Sequence, residues 1–322
     1  MNVWPEARTD VLGAPYEALD LPLGTDFEGP VSATLVRSRA ASRSGQAVLY
    51  LPGYNDYFFH RHLSEFFTSG GIDFYALDIR KCGRSCKPHE TRNLCRSLTD
   101  YFPEIEAAAA LIYNLDGNEK LLLSGHSTGG LIAAIWLSRP GGSEFRNRVN
   151  GLFLNSPFLS SGVPRGIQSF LNPALRTIAG LRPAAAFPHT LSGRYCQSLH
   201  VDYGGEWEFN QEWKSTAGTK LRLGWLAAIH EGQRLVRAGL RIEVPILVMC
   251  GAASSNSKAS LEEIRCSDSV LNVDSIFKLS TRLGENVTSV RIKDACHDVL
   301  LSSPVARESA LATLDRWMTA FL

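Results

Sequence analysis

Lys120–Ser124 runs into Gly125-His126-Ser127-Thr128-Gly129-Gly130 and then into an apolar stretch, Leu131–Leu137. Strand-forming residues, a Gly-X-Ser-X-Gly turn and a helix-forming stretch, in that order, make a nucleophile elbow. The sharp strand-to-helix turn lifts the Ser127 hydroxyl clear of the backbone and sets it near the positive end of the new helix. Glycines flank it because a side chain there would collide with the adjoining strand and helix. At average Gly and Ser usage the five-residue pattern arises by accident about 0.1 times in a chain this long. Context therefore has to carry the reading.

The context is a chain of 322 residues, 44% hydrophobic, enough for one large α/β domain with an insertion. Lys plus Arg number 33 against 32 Asp plus Glu, so no nucleic-acid partner is expected. Met1–Pro30 carries Glu6, Asp10, Glu17, Asp20, Asp26 and Glu28 and lacks the basic start and apolar stretch of a signal peptide. No run has the length of a membrane span. These features lead us to expect a cytoplasmic protein without stable membrane insertion, and they leave a homo-oligomer open. Seven cysteines, an odd number without regular spacing, suit a reducing compartment. Cys82, Cys86, His89 and Cys95 lie close together, but their spacing fits loop thiols better than zinc, and no metal site is expected.

Val31–Arg37 and Ala47–Leu51 read as strands, followed by a helix over His62–Ser69 that Gly70-Gly71 ends, and by a strand over Phe74–Ile79. Thr99 can cap the next helix, where Tyr101, Ile105, Ala108, Ala109 and Ile112 recur at helical spacing. After the elbow, Gly151–Asn155, Val244–Cys250 and Val287–Ile292 read as further strands, and Val305–Phe321 as a closing helix. Strands alternating with helices imply a mostly parallel sheet flanked by helices, with ligands gathering at the carboxyl ends of the strands. Between Pro157 and Arg241 the alternation fails, in a stretch rich in Pro and Gly that includes Trp207, Trp213 and Trp225. An excursion of that size between two core strands reads as a cap: core over residues 1–156 and 242–322, cap over 157–241.

A serine hydroxyl needs a base, and the base needs a carboxylate to orient it. After an elbow of this kind the chain order is serine, acid, histidine. His297, just past the last strand, fits the histidine slot. His60, His62 and His89 precede the serine, His126 sits inside the elbow, and His189, His200 and His230 fall in the cap stretch. The acid is less obvious, because Gly251-Ala252-Ala253-Ser254-Ser255 supplies none directly after the penultimate strand. Asp268 is the first aspartate beyond it, ahead of Asp274, which begins or rides a helix, and Asp294, which shares the loop of His297. Glu262 and Glu263 read as helix surface. Backbone donors for an oxyanion would be the amides of Thr128 and of Tyr54, in the turn after Pro52-Gly53. No organic cofactor is required.

The segments Leu51–Asp56, Ala76–Ser85, Leu121–Gly130, Val244–Gly251 and Asp294–Asp298 together resemble the α/β-hydrolase superfamily. The likeness is to the branch of monoacylglycerol lipases, lysophospholipase-like esterases and serine aminopeptidase-type hydrolases. It implies an α/β-hydrolase fold, hydrolysis of a carboxylic ester through an acyl-enzyme, and a small acyl substrate such as a monoacylglycerol or lysophospholipid. Three departures stand out: Pro52 replaces a histidine of the family's oxyanion loop, Lys81 replaces a glycine, and the usual acid position holds Ala or Ser. Cleavage of an amide, or binding of an apolar ligand without chemistry, are the competing readings. Arg80, Lys81, Arg84 and Lys87 form a basic run that could attract a phosphate headgroup, unless it is a solvated face. Trp207, Phe209, Trp213 and Trp225 could line an acyl pocket or simply pack the cap.

Overall fold

A computed structural model describes Trp4 and residues 6–161 and 174–322. In chain order the strands are β1 (Arg8–Thr9), β2 (Glu17–Asp26), β3 (Gly29–Ser38), β4 (Gln46–Leu51), β5 (Asp73–Asp78), β6 (Lys120–His126), β7 (Val149–Asn155), β8 (Ala186–Leu191), β9 (Thr219–Arg222), β10 (Ile246–Gly251) and β11 (Val287–Ile292). The helices are α1 (Arg61–Ser69), α2 (Phe102–Ala110), α3 (Thr128–Leu137), α4 over residues 174–181, α5 (Arg194–Leu199), α6 (Leu223–Ala238), α7 (Leu261–Arg265), α8 (Val273–Ser280) and α9 (Pro304–Phe321).

Nine strands form one sheet in the order β1-β2-β3-β5-β4-β6-β7-β10-β11. From β5 to β11 every neighbouring pair is parallel, and β1–β2, β2–β3 and β3–β5 are antiparallel. The side-chain period of two sorts the strands into two faces. Leu49, Leu51, Leu121 and Leu123 join the core formed with α2, α3, α6 and α8. Val48, Tyr50 and Leu122 join the opposite core with α1 and α9. Helix α3 is buried from Thr128 through Trp136, as expected for a helix apolar all round and pressed against the centre of a sheet. Burial of each of its large side chains contributes about 1.5–3 kcal/mol, so the segment carrying Ser127 is among the best anchored in the molecule.

Two local expectations change. The turn before α2 is capped by Ser97, whose side chain accepts from Thr99 N while Asp100 accepts from Ser97 N, so Thr99 lies inside the turn. This capping box satisfies two otherwise orphaned amides, which Thr99 alone would not do. The acidic N-terminal stretch contributes strand β2, whose Ala18, Leu19 and Leu21 are buried. Its hairpin with β3 closes through Asp26 and Gly29.

The chain leaves the main sheet after β7 and rejoins it at β10. The intervening described residues form α4, α5, α6 and a separate two-stranded antiparallel sheet, β8–β9. The loops that follow β4, β6, β7, β10 and β11 all open at the carboxyl edge of the parallel strands, where α/β sheets collect their functional groups.

Candidate active site

Ser127 sits at the β6–α3 junction with φ +51° and ψ −114°, a left-handed backbone costing on the order of 1–3 kcal/mol that its surroundings must hold. Its amide donates to Asn155 O (3.0 Å), and its carbonyl accepts from Phe158 N (3.0 Å) and Leu131 N (3.2 Å). The flanking glycines are dictated by packing. A Cβ on Gly125 would lie 2.6 Å from the Gly129 carbonyl carbon, and one on Gly129 would lie 2.3 Å from both Leu51 O and Pro52 O. The turn after β4 presses close as well, though less tightly, since a Cβ on Gly53 would lie 3.0 Å from His126 Nδ1 and 3.3 Å from Ser127 Cβ.

His297, in the loop after β11, places Nε2 3.0 Å from Ser127 Oγ and Nδ1 2.9 Å from Asp268 Oδ2. All three residues are buried, Ser127 the least so at 7% exposure. The long connection to Asp268 is resolved by backbone pairing. Asp268 N donates to Ala253 O and Ser255 N to Asp268 O (2.9 Å each), a bridge that stitches the aspartate onto the segment leaving β10. The carboxylate thus stands beside the strand end although its residue comes thirteen positions later, counted from Ser255 to Asp268. Its second oxygen accepts from Val270 N (2.9 Å) and Leu271 N (2.7 Å), which fixes the rotamer. Asp274 instead rides the first turn of α8, 76% exposed and paired with Arg291, and Asp294 is exposed with φ +54°. Glu262 and Glu263 lie in the first turn of α7.

An imidazole held between a hydroxyl and a buried carboxylate can accept the hydroxyl's proton and return it, provided Nδ1 carries the hydrogen toward Asp268. Gly53 brings the Tyr54 peptide beside Ser127, and Thr128 follows Ser127 directly, so both residues expected to offer oxyanion amides border the Ser127 hydroxyl.

A second buried group of charges lies behind this triplet. Lys214 Nζ is 2.8 Å from Asp56 Oδ1, with both side chains at most 2% exposed. His126 Nδ1 stands 3.5 Å from Asp56 Oδ2 and 3.8 Å from Asp298 Oδ2, and its ring packs 4.9 Å from that of His297. Asp298 Oδ2 also faces His60 Nε2 at 3.3 Å, and its Oδ1 accepts from Asn155 Nδ2 at 2.6 Å. Burial pushes the Asp56 carboxyl upward, but Lys214, His126 and His60 more than offset it and hold the group well below the usual carboxylate range. Asp298 is held down in the same way by His126 and His60, against its own burial. Sequence reasoning missed Asp56, Asp298 and Lys214 as site neighbours. Adjacency to His297 was the signal for Asp298, and nothing local marks Lys214.

Aromatic rings wall the site. Tyr54 and Trp225 lie 4.2 Å apart between centroids, Phe158 stacks on Trp225 at 6.3 Å, and Tyr195 meets His297 edge-on at 5.4 Å. Of the four aromatics singled out in the sequence, Trp225 packs on Tyr54, in the turn beside Ser127, and on Phe158, whose amide donates to Ser127 O. Trp213 packs on Tyr57, Phe209 on Phe59 and Trp207 on His62.

The basic run is not free to attract a headgroup. Arg80 pairs with Glu104 (2.7 Å), buried Lys81 with Asp26 and Glu28 (2.6 and 2.7 Å), Arg84 with Asp10 and Asp78 (2.7 and 2.8 Å), and Lys87 with Asp20 (3.6 Å). The β2–β3 hairpin supplies three of these partners, Asp20, Asp26 and Glu28, and Asp10 precedes it between β1 and β2, which sequence proximity alone did not reveal. All seven cysteines are free thiols, and no metal-ligating cluster of three or more His, Cys, Asp or Glu occurs among the described residues. No helix among them is long and apolar enough to cross a membrane.

A family model described as serine aminopeptidase, S33, matches residues 42–265. No curated protein matches the chain at a significant level. Among solved structures, DcsB in complex with its substrate analogue superposes with a TM-score of 0.66 at 15% identity, over 95% of this chain and 100% of that one. A soluble variant of monoglyceride lipase from Saccharomyces cerevisiae, in complex with a substrate analogue, gives 0.67 at 12% identity over 92% and 93%. The monoacylglycerol lipase of Paleococcus ferrophilus gives 0.65 at 18% identity over 89% and 99%. At these identities the likeness is one of fold.

Proposed function

Because the chain belongs to the serine aminopeptidase S33 family of α/β hydrolases, we propose that it hydrolyses a carboxylic ester of a lipid-like or small acyl substrate through a covalent acyl-enzyme. The observation that carries the reading is the continuous contact from Asp268 through His297 to Ser127, at 2.9 and 3.0 Å, in a buried setting. In the first step Ser127 Oγ attacks the ester carbonyl while His297 Nε2 takes its proton. The tetrahedral oxyanion is met by the amides of Tyr54 and Thr128, and its collapse expels the alcohol with the proton from His297. In the second step His297 takes a proton from water, whose oxygen attacks the acyl carbon. The carboxylic acid leaves and Ser127 is restored. Asp268 keeps the imidazole in the required tautomer throughout.

Residues 157–241, of which 162–173 lie outside the described residues, act as a cap over a core of residues 1–156 and 242–322. Tyr54, Phe158, Tyr195 and Trp225 suit an apolar acyl chain better than a charged one, since such walls stabilise by area rather than by pairing. The fold likeness to two proteins titled monoglyceride or monoacylglycerol lipase favours a monoacylglycerol or lysophospholipid type of substrate. A second reading, hydrolysis of an amide or peptide, is favoured by the description of the family model. Turnover of matched butyryl esters and amides, on wild type and Ser127→Ala, tests both. Ester turnover that vanishes in the variant supports the first reading, a higher kcat/KM for the amide supports the second, and no serine-dependent turnover of either leaves a binder of an apolar ligand.

A further inference from the structure

The loop after β4 is held by the cap along four consecutive residues. Tyr54 donates its hydroxyl to Lys220 O (3.0 Å). Asn55 accepts from Ser215 N (3.1 Å) and donates to Ser215 O (3.2 Å). Asp56 pairs with Lys214 (2.8 Å), and Tyr57 accepts from Asn210 N (2.7 Å). The partners fall in reverse order, 220, 215, 214 and 210, so the two segments run antiparallel and engage like a zipper made of side chains. The turn lies beyond the last ladder pair of β4, Leu51 with Gly125, and Asn55 adopts φ +54°. Lys214 closes the zipper: besides Asp56, its ammonium lies 5.6 Å from the rings of Phe59 and Tyr195 and 5.8 Å from Phe209. An ammonium so far from water is tolerable only with its carboxylate in place, so this contact is made fully or not at all. Asp56 in turn faces His126 of the elbow, and Gly53 touches Ser127.

We infer that residues 210–220 of the cap are the template that shapes the oxyanion-binding turn, with Lys214 as a positioning residue acting through Asp56. Cap docking then assembles the catalytic site in addition to covering it. The inference rests on the serine-hydrolase reading above. An amide displaced by an ångström loses the charge developing on the substrate oxygen, whereas Phe158 and Trp225, which are not part of the turn, still face the acyl chain.

The test compares wild type, Lys214→Met and Asn55→Gly, the last keeping the backbone conformation accessible while removing both bonds to Ser215 and the weaker contact to Cys196 Sγ. Two probes are used: octyl trifluoromethyl ketone, whose hemiketal with serine places an oxyanion in the turn, and octyl methyl ether, which binds by its chain alone. For each folded variant the expected result is a loss of about 10²-fold in kcat for p-nitrophenyl butyrate and in affinity for the ketone, the scale of one lost oxyanion donor. Affinity for the ether should change by less than about threefold, because Phe158 and Trp225 lie outside the turn and ground-state contacts depend far less than the oxyanion on an ångström shift. Equal losses for ketone and ether, or no loss for the ketone, would overturn the inference. Should Lys214→Met fail to fold, Asn55→Gly alone decides by the same criterion. Wild-type protein that neither turns over the ester nor binds the ketone more tightly than the ether would instead remove the hydrolase reading itself.

Discussion

Replacing Asp268 by asparagine tests the proposed proton path more sharply than any deletion, because the surrounding backbone dictates how the new amide must sit. One oxygen of Asp268 accepts from Val270 N and Leu271 N, and the other meets His297 Nδ1. An asparagine keeps the two amide donors satisfied only with its carbonyl oxygen toward Val270 and Leu271, which turns its NH2 toward His297. That NH2 is a donor, so Nδ1 must become the acceptor and the hydrogen moves to Nε2, facing Ser127 Oγ. The imidazole can then no longer accept the hydroxyl proton. The variant should fold, since shape and two of the three hydrogen bonds survive. Its kcat/KM for p-nitrophenyl butyrate should fall by about 10⁴, equivalent to about 5 kcal/mol of transition-state stabilisation. Asp274→Asn serves as the control, expected to stay within about twofold of wild type, because an exposed pair with Arg291 is worth at most about 1 kcal/mol of stability. A loss below tenfold in Asp268→Asn, or a comparable loss in Asp274→Asn, would refute the reasoning.

Gly129→Ala places a methyl 2.3 Å from two carbonyl oxygens of the turn after β4, so it should cost more than about 3 kcal/mol in urea unfolding and abolish turnover; a stable, active variant would show that the elbow and turn are not packed as described. The His62 pKa is lowered to about 4, by burial first and by His60 second, against an ordinary value of about 6.5. The unfolded chain therefore takes up this proton at a higher pH than the native one, and stability is lost as pH falls from about 6.5 through about 4, by up to about 3 kcal/mol. His62→Gln, which retains a donor for Leu300 O, should flatten that part of the stability profile, and an unchanged slope would contradict the assignment. Trp225→Phe shortens the ring that packs on Tyr54 and Phe158, and should reduce the preference for octanoyl over acetyl p-nitrophenyl esters by about tenfold, in line with about 1–3 kcal/mol per altered hydrophobic contact; equal effects on both esters would place Trp225 outside the acyl site.

What could be read from the sequence was whatever local patterning encodes. Ser127 announced itself through glycines whose absence of a side chain the packing demands, and His297 through its position after β11. Asp268 ranked over Asp274 as the first aspartate after the penultimate strand and because Val273 and Ile276 pattern as a helix; in the structure His297 Nδ1 lies 2.9 Å from Asp268 Oδ2, and Asp274 sits in the first turn of α8. The bridge from Ala253 and Ser255 to Asp268 was not legible, because nothing local says which loop backbone pairs with which. Nor was the fate of Arg80, Lys81 and Arg84, whose partners lie between 6 and 74 positions away, at Asp10, Asp26, Glu28, Asp78 and Glu104. Charge runs are ambiguous for that reason: the sequence shows the charges and tertiary structure supplies their partners. Strand β2 escaped notice because its outer half, Pro22–Asp26, is broken by Pro22 and Gly24 and mostly exposed, leaving Ala18, Leu19, Leu21 and partly Leu23 to pack on the core.

Intact-mass analysis after treating the folded protein with a fluorophosphonate bears most directly on the whole account. A hydroxyl made nucleophilic by His297 and Asp268 should give a single adduct on Ser127 that disappears in Ser127→Ala and is slowed by roughly the same 10⁴ in Asp268→Asn. Wild-type protein that stays unmodified, or an adduct that persists in Ser127→Ala, would contradict it.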